Sequence, residues 1–155
     1  MKRVRPLTTV AVLVAVLVGT GVWWAFFRGP SKADCAPVRD MLSFNKTQIE
    51  VLNAKTHIPA PGSYEKETDP SELDYRVWSD GLADRAKKVS APDLAGPARD
   101  AAQTADRLVR ARLDYDAQSA RTAPGAQPPA AAMVVTAFND QYEGQIRALA
   151  TTCPA

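Results

Sequence analysis

At 155 residues, with 19 basic against 17 acidic side chains, the chain holds one domain's worth of material beyond any targeting segment. Lys2, Arg3 and Arg5 precede a hydrophobic stretch, and without them 16 basic residues face 17 acidic ones. A near-neutral remainder has no basic stripe to neutralise phosphates, so nucleic acid is not expected among the partners.

From Leu7 to Phe27 the chain reads LTTVAVLVAVLVGTGVWWAFF, 21 residues without a charge. At ~1.5 Å per residue such a helix is about 31 Å long, matching a hydrocarbon core of ~30 Å. Trp23, Trp24, Phe26 and Phe27 cluster at its far end, where aromatic rings favour the lipid–water boundary. The three basic residues on the near side orient the N-terminus to the cytoplasm by the positive-inside rule. The expectation is a cytoplasmic N-terminus at 1–6 and a signal-anchor helix at 7–27. The protein is then single-pass in the plasma membrane, with its C-terminal part extracytoplasmic. A cleavable signal peptide ending near Ser31-Lys32-Ala33 is the competing reading, but the apolar stretch exceeds the ~7–15 residues usual for its core. Asp34 before Cys35 does not fit a lipoprotein signal, and Val4 separates Arg3 from Arg5, so no twin-arginine signal is present.

A linker at 28–33 leads into a domain at 34–155 that carries four helical patterns. The first runs from about Ala36 to Asn53, capped by Asp34 or Cys35, with Pro37 in the first turn. Val38, Met41, Leu42, Ile49 and Leu52 share one face, and Asn45 is the polar exception on it. The second opens on Asp69-Pro70-Ser71-Glu72, read as N-cap, Pro at the first helical position and Glu at the third. Tyr75, Trp78, Leu82, Ala86 and Val89 form its stripe, and Gly81 costs it about 1 kcal/mol of helix propensity. The third runs from Pro92 or Ala98 to Arg121, Pro97 leaving the start between the two. Its stripe is Ala98, Ala101, Ala102, Ala105, Leu108, Val109 and Leu113, small enough for a neighbouring helix to approach closely. The fourth runs from about Pro129 to Thr152, with Val135, Phe138, Tyr142, Ile146, Leu149 and Cys153 on one side. No strand-like alternation or internal repeat interrupts this order. The fold class is therefore all-α, an antiparallel four-helix bundle following the membrane helix.

Cys35 opens the first helix and Cys153 closes the fourth, and in an up-down-up-down bundle those ends share a pole. In an oxidising compartment they pair, closing a loop of 118 residues. The chain-entropy model values that closure at no more than about 5 kcal/mol. Two free thiols, or an intermolecular pair, are the alternatives.

Catalytic groupings are not evident. His57 is the one histidine and sits in a loop, without the partners that haem, zinc or a nucleophilic relay requires. Asp74, Asp80, Asp84, Asp114 and Asp116 lie among Arg76, Arg85, Arg110 and Arg112, as solvated helix faces do. The Glu-x-x-His signature of di-metal bundles is absent from the sequence. Trp78 reads as core, and the glycosylation-like Asn45-Lys46-Thr47 falls mid-helix, where an acceptor loop is not expected. No catalytic residue, metal ligand or cofactor is assigned.

The connection Ala54–Asp69 is the candidate partner surface. Its 16 residues exceed the ~2–8 usual between bundle helices. Pro59, Pro61 and Gly62 stiffen or kink it, and His57, Tyr64, Glu65 and Glu67 are its contact candidates. It would form a tip with the other proline-rich link, Thr122–Pro129, at the end of the bundle away from the membrane.

The full-length layout is a basic start, a single anchor, a Pro/Gly linker, then an Ala- and Arg-rich helical domain with terminal cysteines. It resembles uncharacterised conserved single-pass membrane proteins of mycobacteria and their actinobacterial relatives. That resemblance implies a cell-envelope setting and carries over no functional residues. The reading is a non-enzymatic, envelope-facing interaction module with a protein partner, as in an accessory subunit of a membrane assembly. A bundle that holds a lipid or other apolar ligand is the alternative, and an enzyme is the third.

Overall fold

One local signal, Ser-x-x-Asp, opens the first two helices. In the computed structural model, which describes residues 29–60, 62–123 and 126–155, helix α1 spans Lys32–Lys55 and helix α2 spans Glu72–Ala86. The Ser31 hydroxyl accepts from the Asp34 N–H at 3.2 Å while the Asp34 carboxylate accepts from the Ser31 N–H at 3.0 Å. Ser71 and Asp74 repeat the arrangement at 3.3 and 2.9 Å. Both expected caps are thereby corrected. A reciprocal box satisfies two orphan N–H groups, where a lone Asp34, Cys35 or Asp69 cap satisfies one. So α1 starts before the predicted Ala36, which leaves Pro37 inside the helix rather than in its first turn. Likewise α2 starts after Ser71, which frees Asp69 for another role.

Helix α3 spans Pro92–Ser119 and helix α4 spans Ala131–Thr152. Of the two possible starts for α3 the earlier is adopted, with Pro92 in the first turn, where its missing N–H costs nothing. The added turns bury Leu94 and Ala95, which offsets carrying Pro97 within the helix. The four helices are all-α architecture, and among the described residues there is no strand, only an isolated bridge between His57 and Thr68.

The stripes read from the sequence face inward. Val38, Met41 and Leu52 of α1 meet Trp78, Leu82 and Ala86 of α2 and the alanines of α3 in one core. Ala98, Ala101 and Ala105 are fully buried, so backbones rather than long side chains set the spacing along α3. Neighbours run antiparallel: Lys55 at the end of α1 pairs with Asp74 at the start of α2, and Asp40 near the start of α1 faces Arg85 near the end of α2. At one pole Cys35 and Cys153 form a disulfide with their Cα atoms 5.3 Å apart, joining the start of α1 to the end of α4. We call this the disulfide pole and the opposite end, which carries both long connections, the loop pole.

Gly81 has a specific packing reason. A Cβ there would lie 2.2 Å from Phe44 Cζ, so its absence lets the Phe44 ring of α1 rest on the α2 backbone. The Arg85 guanidinium lies over that ring, 3.7 Å from its centroid, and donates to the Gly81 carbonyl at 3.1 Å.

Among the described residues no helix is long and apolar enough to cross a membrane. The expected span at 7–27 and the cytoplasmic segment at 1–6 lie outside the described residues, as does Pro61.

Candidate functional site

The site begins at Asn45, the polar exception on the α1 stripe. Its Oδ1 accepts from Trp78 Nε1 at 2.8 Å and from the Tyr142 hydroxyl at 2.6 Å, tying α1, α2 and α4 together at mid-height. The Trp78 and Tyr142 rings meet edge to face at 5.3 Å. Such an arrangement satisfies both buried donors and adds aromatic attraction. Burial raises the Tyr142 pKa, so the hydroxyl keeps the proton it donates.

Between this junction and the loop pole the helices do not fill the space between them. A cavity of about 320 Å³ opens there, bounded by all four helices and the first connection. Ile49, Leu52, Leu108, Val109, Val135 and Trp78 form apolar walls, and Asn53, Thr56 and Asn139 add neutral polar groups. Ile58, Glu67, Asp69 and Pro70 come from the connection, and Tyr75 and Arg112 complete the lining. Arg112 is held by two carboxylates. Its terminal nitrogen donates to Asp69, and its Nε donates to Asp116 at 3.0 Å. Burial opposes the Arg112 charge, but Tyr75, Asp116 and Asp69 outweigh it and raise the pKa. The Tyr75 pKa is also raised, mainly by burial, with Arg112 opposing and Asp69 and Asp116 reinforcing the shift.

The first connection is tied down at its base. The His57 N–H donates to the Thr68 carbonyl at 2.9 Å, and the Thr68 N–H returns the bond at 3.1 Å. The Thr68 hydroxyl donates to the Lys55 carbonyl at 3.0 Å, anchoring the returning segment of the loop to the end of α1. His57 Nε2 lies 3.0 Å from a Glu65 oxygen. Gly62, at φ 85°, takes the left-handed turn that other residues avoid. Drawing the ends together in this way makes the connection a compact surface loop rather than a slack tether.

The predicted contact residues therefore separate into three roles. His57 and Glu65 face each other and brace the loop. Glu67 lines the cavity. Tyr64, wholly exposed, faces solvent. Cys35 and Cys153 are brought together as expected. Sequence pattern does not single out Asn45, Asp69, Tyr75 or Arg112 as site residues. A signal existed for two of them: Asn45 interrupts an apolar face, and Arg112 follows Leu108 by four residues and Val109 by three, on the buried side of α3.

Among the described residues, the large apolar side chains left exposed are distributed unevenly. Ile58 and Tyr64 are in the connection, Leu73 and Val77 in the first turns of α2, Met133 and Val134 in the first turn of α4, and Val51 near the end of α1. All belong to the loop half. Met133 is 79 %, Ile58 77 % and Leu73 70 % exposed, values unlike those of side chains that merely edge a core. Among the described residues no group of three or more His, Cys, Asp or Glu side chains is placed to hold a metal ion. Compared with protein families, curated proteins and solved structures, the chain matches none.

Proposed function

We propose that this protein is a membrane-anchored, envelope-facing interaction module that meets a protein partner with its loop pole and performs no catalysis. The observation carrying this reading is that, among the described residues, the exposed large apolar side chains all lie in the loop half. Isolated exposed apolar residues are ordinary, but their concentration at one end marks a recognition surface. The anchor fits the same geometry. A span ending at Phe27 delivers the chain to Ser31 at the disulfide pole, and the 24-residue α1 then carries the loop pole about 36 Å outward. The disulfide supports an oxidising, extracytoplasmic setting.

Photo-crosslinking in intact cells tests the reading. A photoreactive residue at Tyr64, Leu73 or Met133 is expected to yield one discrete protein adduct, and the same residue at Lys88 or Thr151 none. Combining Leu73→Ser with Met133→Ser removes the adduct at Tyr64 while changing stability by about 0.5 kcal/mol or less, since both positions are exposed. Equal adducts from both poles, or none from either, sink the proposal.

A second reading, a ligand held between the helices, is favoured by the cavity above the Asn45 junction. Bundles place such sites in the space between facing helices.

A further inference from the structure

We infer that the loop-pole cavity takes a small amphipathic cation, an alkyl- or arylammonium whose apolar body lies between the helices and whose ammonium group sits at Glu67 and Asp69. The inference rests on the ligand reading above and goes further by specifying the chemical class. Size comes first. A volume of about 320 Å³ holds roughly ten groups at ~30 Å³ each. It also lies at the low end of the ~300–1,000 Å³ typical of ligand sites. A short amphiphile fits; the full acyl chains of a membrane lipid do not.

The walls decide what the body must be. Leu52, Val109 and Trp78 are buried side chains bordering the cavity, and Ile49 and Leu108 pack beside them. An apolar body placed against these side chains is removed from water, which favours its burial.

Charge decides the head group. The lining holds two carboxylates, Glu67 and Asp69, against one guanidinium, Arg112. That guanidinium is already engaged by Asp69 and, from outside the lining, by Asp116. An incoming carboxylate or phosphate must displace one of these partners and then face the remaining negative charge. A cation meets the carboxylates of Glu67 and Asp69 without displacing Arg112, and the Tyr75 and Trp78 rings in the lining offer further attraction to it. The distinction is between an ammonium and an anion of equal length, which makes it simple to test.

The full chain, reconstituted into neutral phosphatidylcholine discs, is titrated calorimetrically with octylamine, octanol and octanoate at neutral pH, with empty discs as the blank. Octylamine is expected to bind at a single site at least about tenfold more tightly than either of the others, a margin of ~1.4 kcal/mol. Glu67→Gln, at an exposed position that leaves the fold alone, lowers octylamine affinity about three- to fivefold, as a part-exposed charge pair should. Asp69→Asn removes a carboxylate and releases one face of Arg112, so the preference shifts toward octanoate. Val135→Trp fills the cavity and abolishes octylamine binding with the far-ultraviolet circular dichroism unchanged. Octylamine binding no tighter than octanol or octanoate in the unaltered protein overturns the cationic class and leaves the ligand reading standing. Binding that survives Val135→Trp, or no binding by any probe, overturns both.

Discussion

The two ends of this bundle solve opposite problems. At the disulfide pole Cys35 and Cys153 join the outermost helices and are themselves buried, and the five-residue connection 87–91 leaves little chain free. At the loop pole the corresponding helix ends are separated by a cavity, and apolar side chains stay in contact with water. The same four helices thus form a covalently secured half, where a cavity of about 310 Å³ is lined by α2, Lys87 and α3 alone, and a half whose cavity is bounded by all four helices. The Asn45–Trp78–Tyr142 junction marks the border between them. An open end is compatible with a small bundle when the other end carries the covalent constraint. Binding features and stabilising features then need not compete for the same residues.

The largest expected effect comes from the covalently secured half. Replacing both cysteines by serine should cost about 2–5 kcal/mol, near the upper end because the closed loop is long. Urea unfolding of the oxidised protein and of the double variant measures this. If the division of labour is real, octylamine affinity extrapolated to native conditions remains within about twofold, because a loss of global stability leaves the folded cavity unchanged. A disulfide variant as stable as the parent would erase the asymmetry between the poles.

Next is the border. Asn45→Ala strands the Trp78 indole N–H and the Tyr142 hydroxyl, each a buried donor costing about 1–3 kcal/mol when unpaired. The expected loss is roughly 2–4 kcal/mol, read from the unfolding midpoint at constant m-value. A loss below about 0.5 kcal/mol, the range of ordinary surface changes, would remove the junction from the account.

Gly81 gives a smaller effect whose sign is informative. Propensity alone predicts that Gly81→Ala stabilises α2 by about 1 kcal/mol. The close approach of Phe44 predicts a net loss of about 1–2 kcal/mol from overpacking. Adding Phe44→Ala to Gly81→Ala should recover the propensity term, and a double-mutant cycle separates the two. Stabilisation by Gly81→Ala alone would show that the ring does not rest on the backbone.

The smallest effect compares the two capping boxes directly. Asp34 and Asp74 both accept from a serine hydroxyl and N–H, which lowers both pKa values. Asp74 also pairs with Lys55, its largest influence, and is drawn down to about 2. A depressed carboxylate contributes stability above its unfolded value of about 3.9 and loses it as pH falls through the folded value. The contribution of Asp74 should therefore fade between about pH 4 and pH 2. Carboxyl-carbon NMR titration should find Asp74 protonating at lower pH than Asp34, and Lys55→Met should bring the two together. Coincident titrations in the unaltered protein would mean that the loop-pole ion pair does not persist in solution.

Much of the fold was legible in the order of residues because helical period is a local property. Val38, Met41, Leu82, Ala101 and Leu149 could be placed on inward faces by spacing alone, and all are buried. Helix starts were less legible, since several residues near each start offer a cap and the choice depends on which completes a reciprocal pair. The site was the least legible part. Arg112 resembles its neighbour Arg110 in sequence, yet Arg110 pairs with Asp106 on the same helix while Arg112 reaches Asp69 across the cavity. Which of two similar arginines turns inward depends on the packing of α3 against other helices, and no local pattern records it.

Residue order alone is enough to set the number and kind of helices among the described residues, their apolar faces, the meeting of the two cysteines at one pole and the length of the exposed connection. Each follows from periodicity, turn chemistry or the counting of ends. Packing in three dimensions makes Asn45 a shared acceptor rather than a flaw in a stripe, seats the Phe44 ring at Gly81 and leaves a cavity beside Arg112. These depend on distances between residues from 33 to 97 positions apart along the chain, which packing sets and sequence order does not.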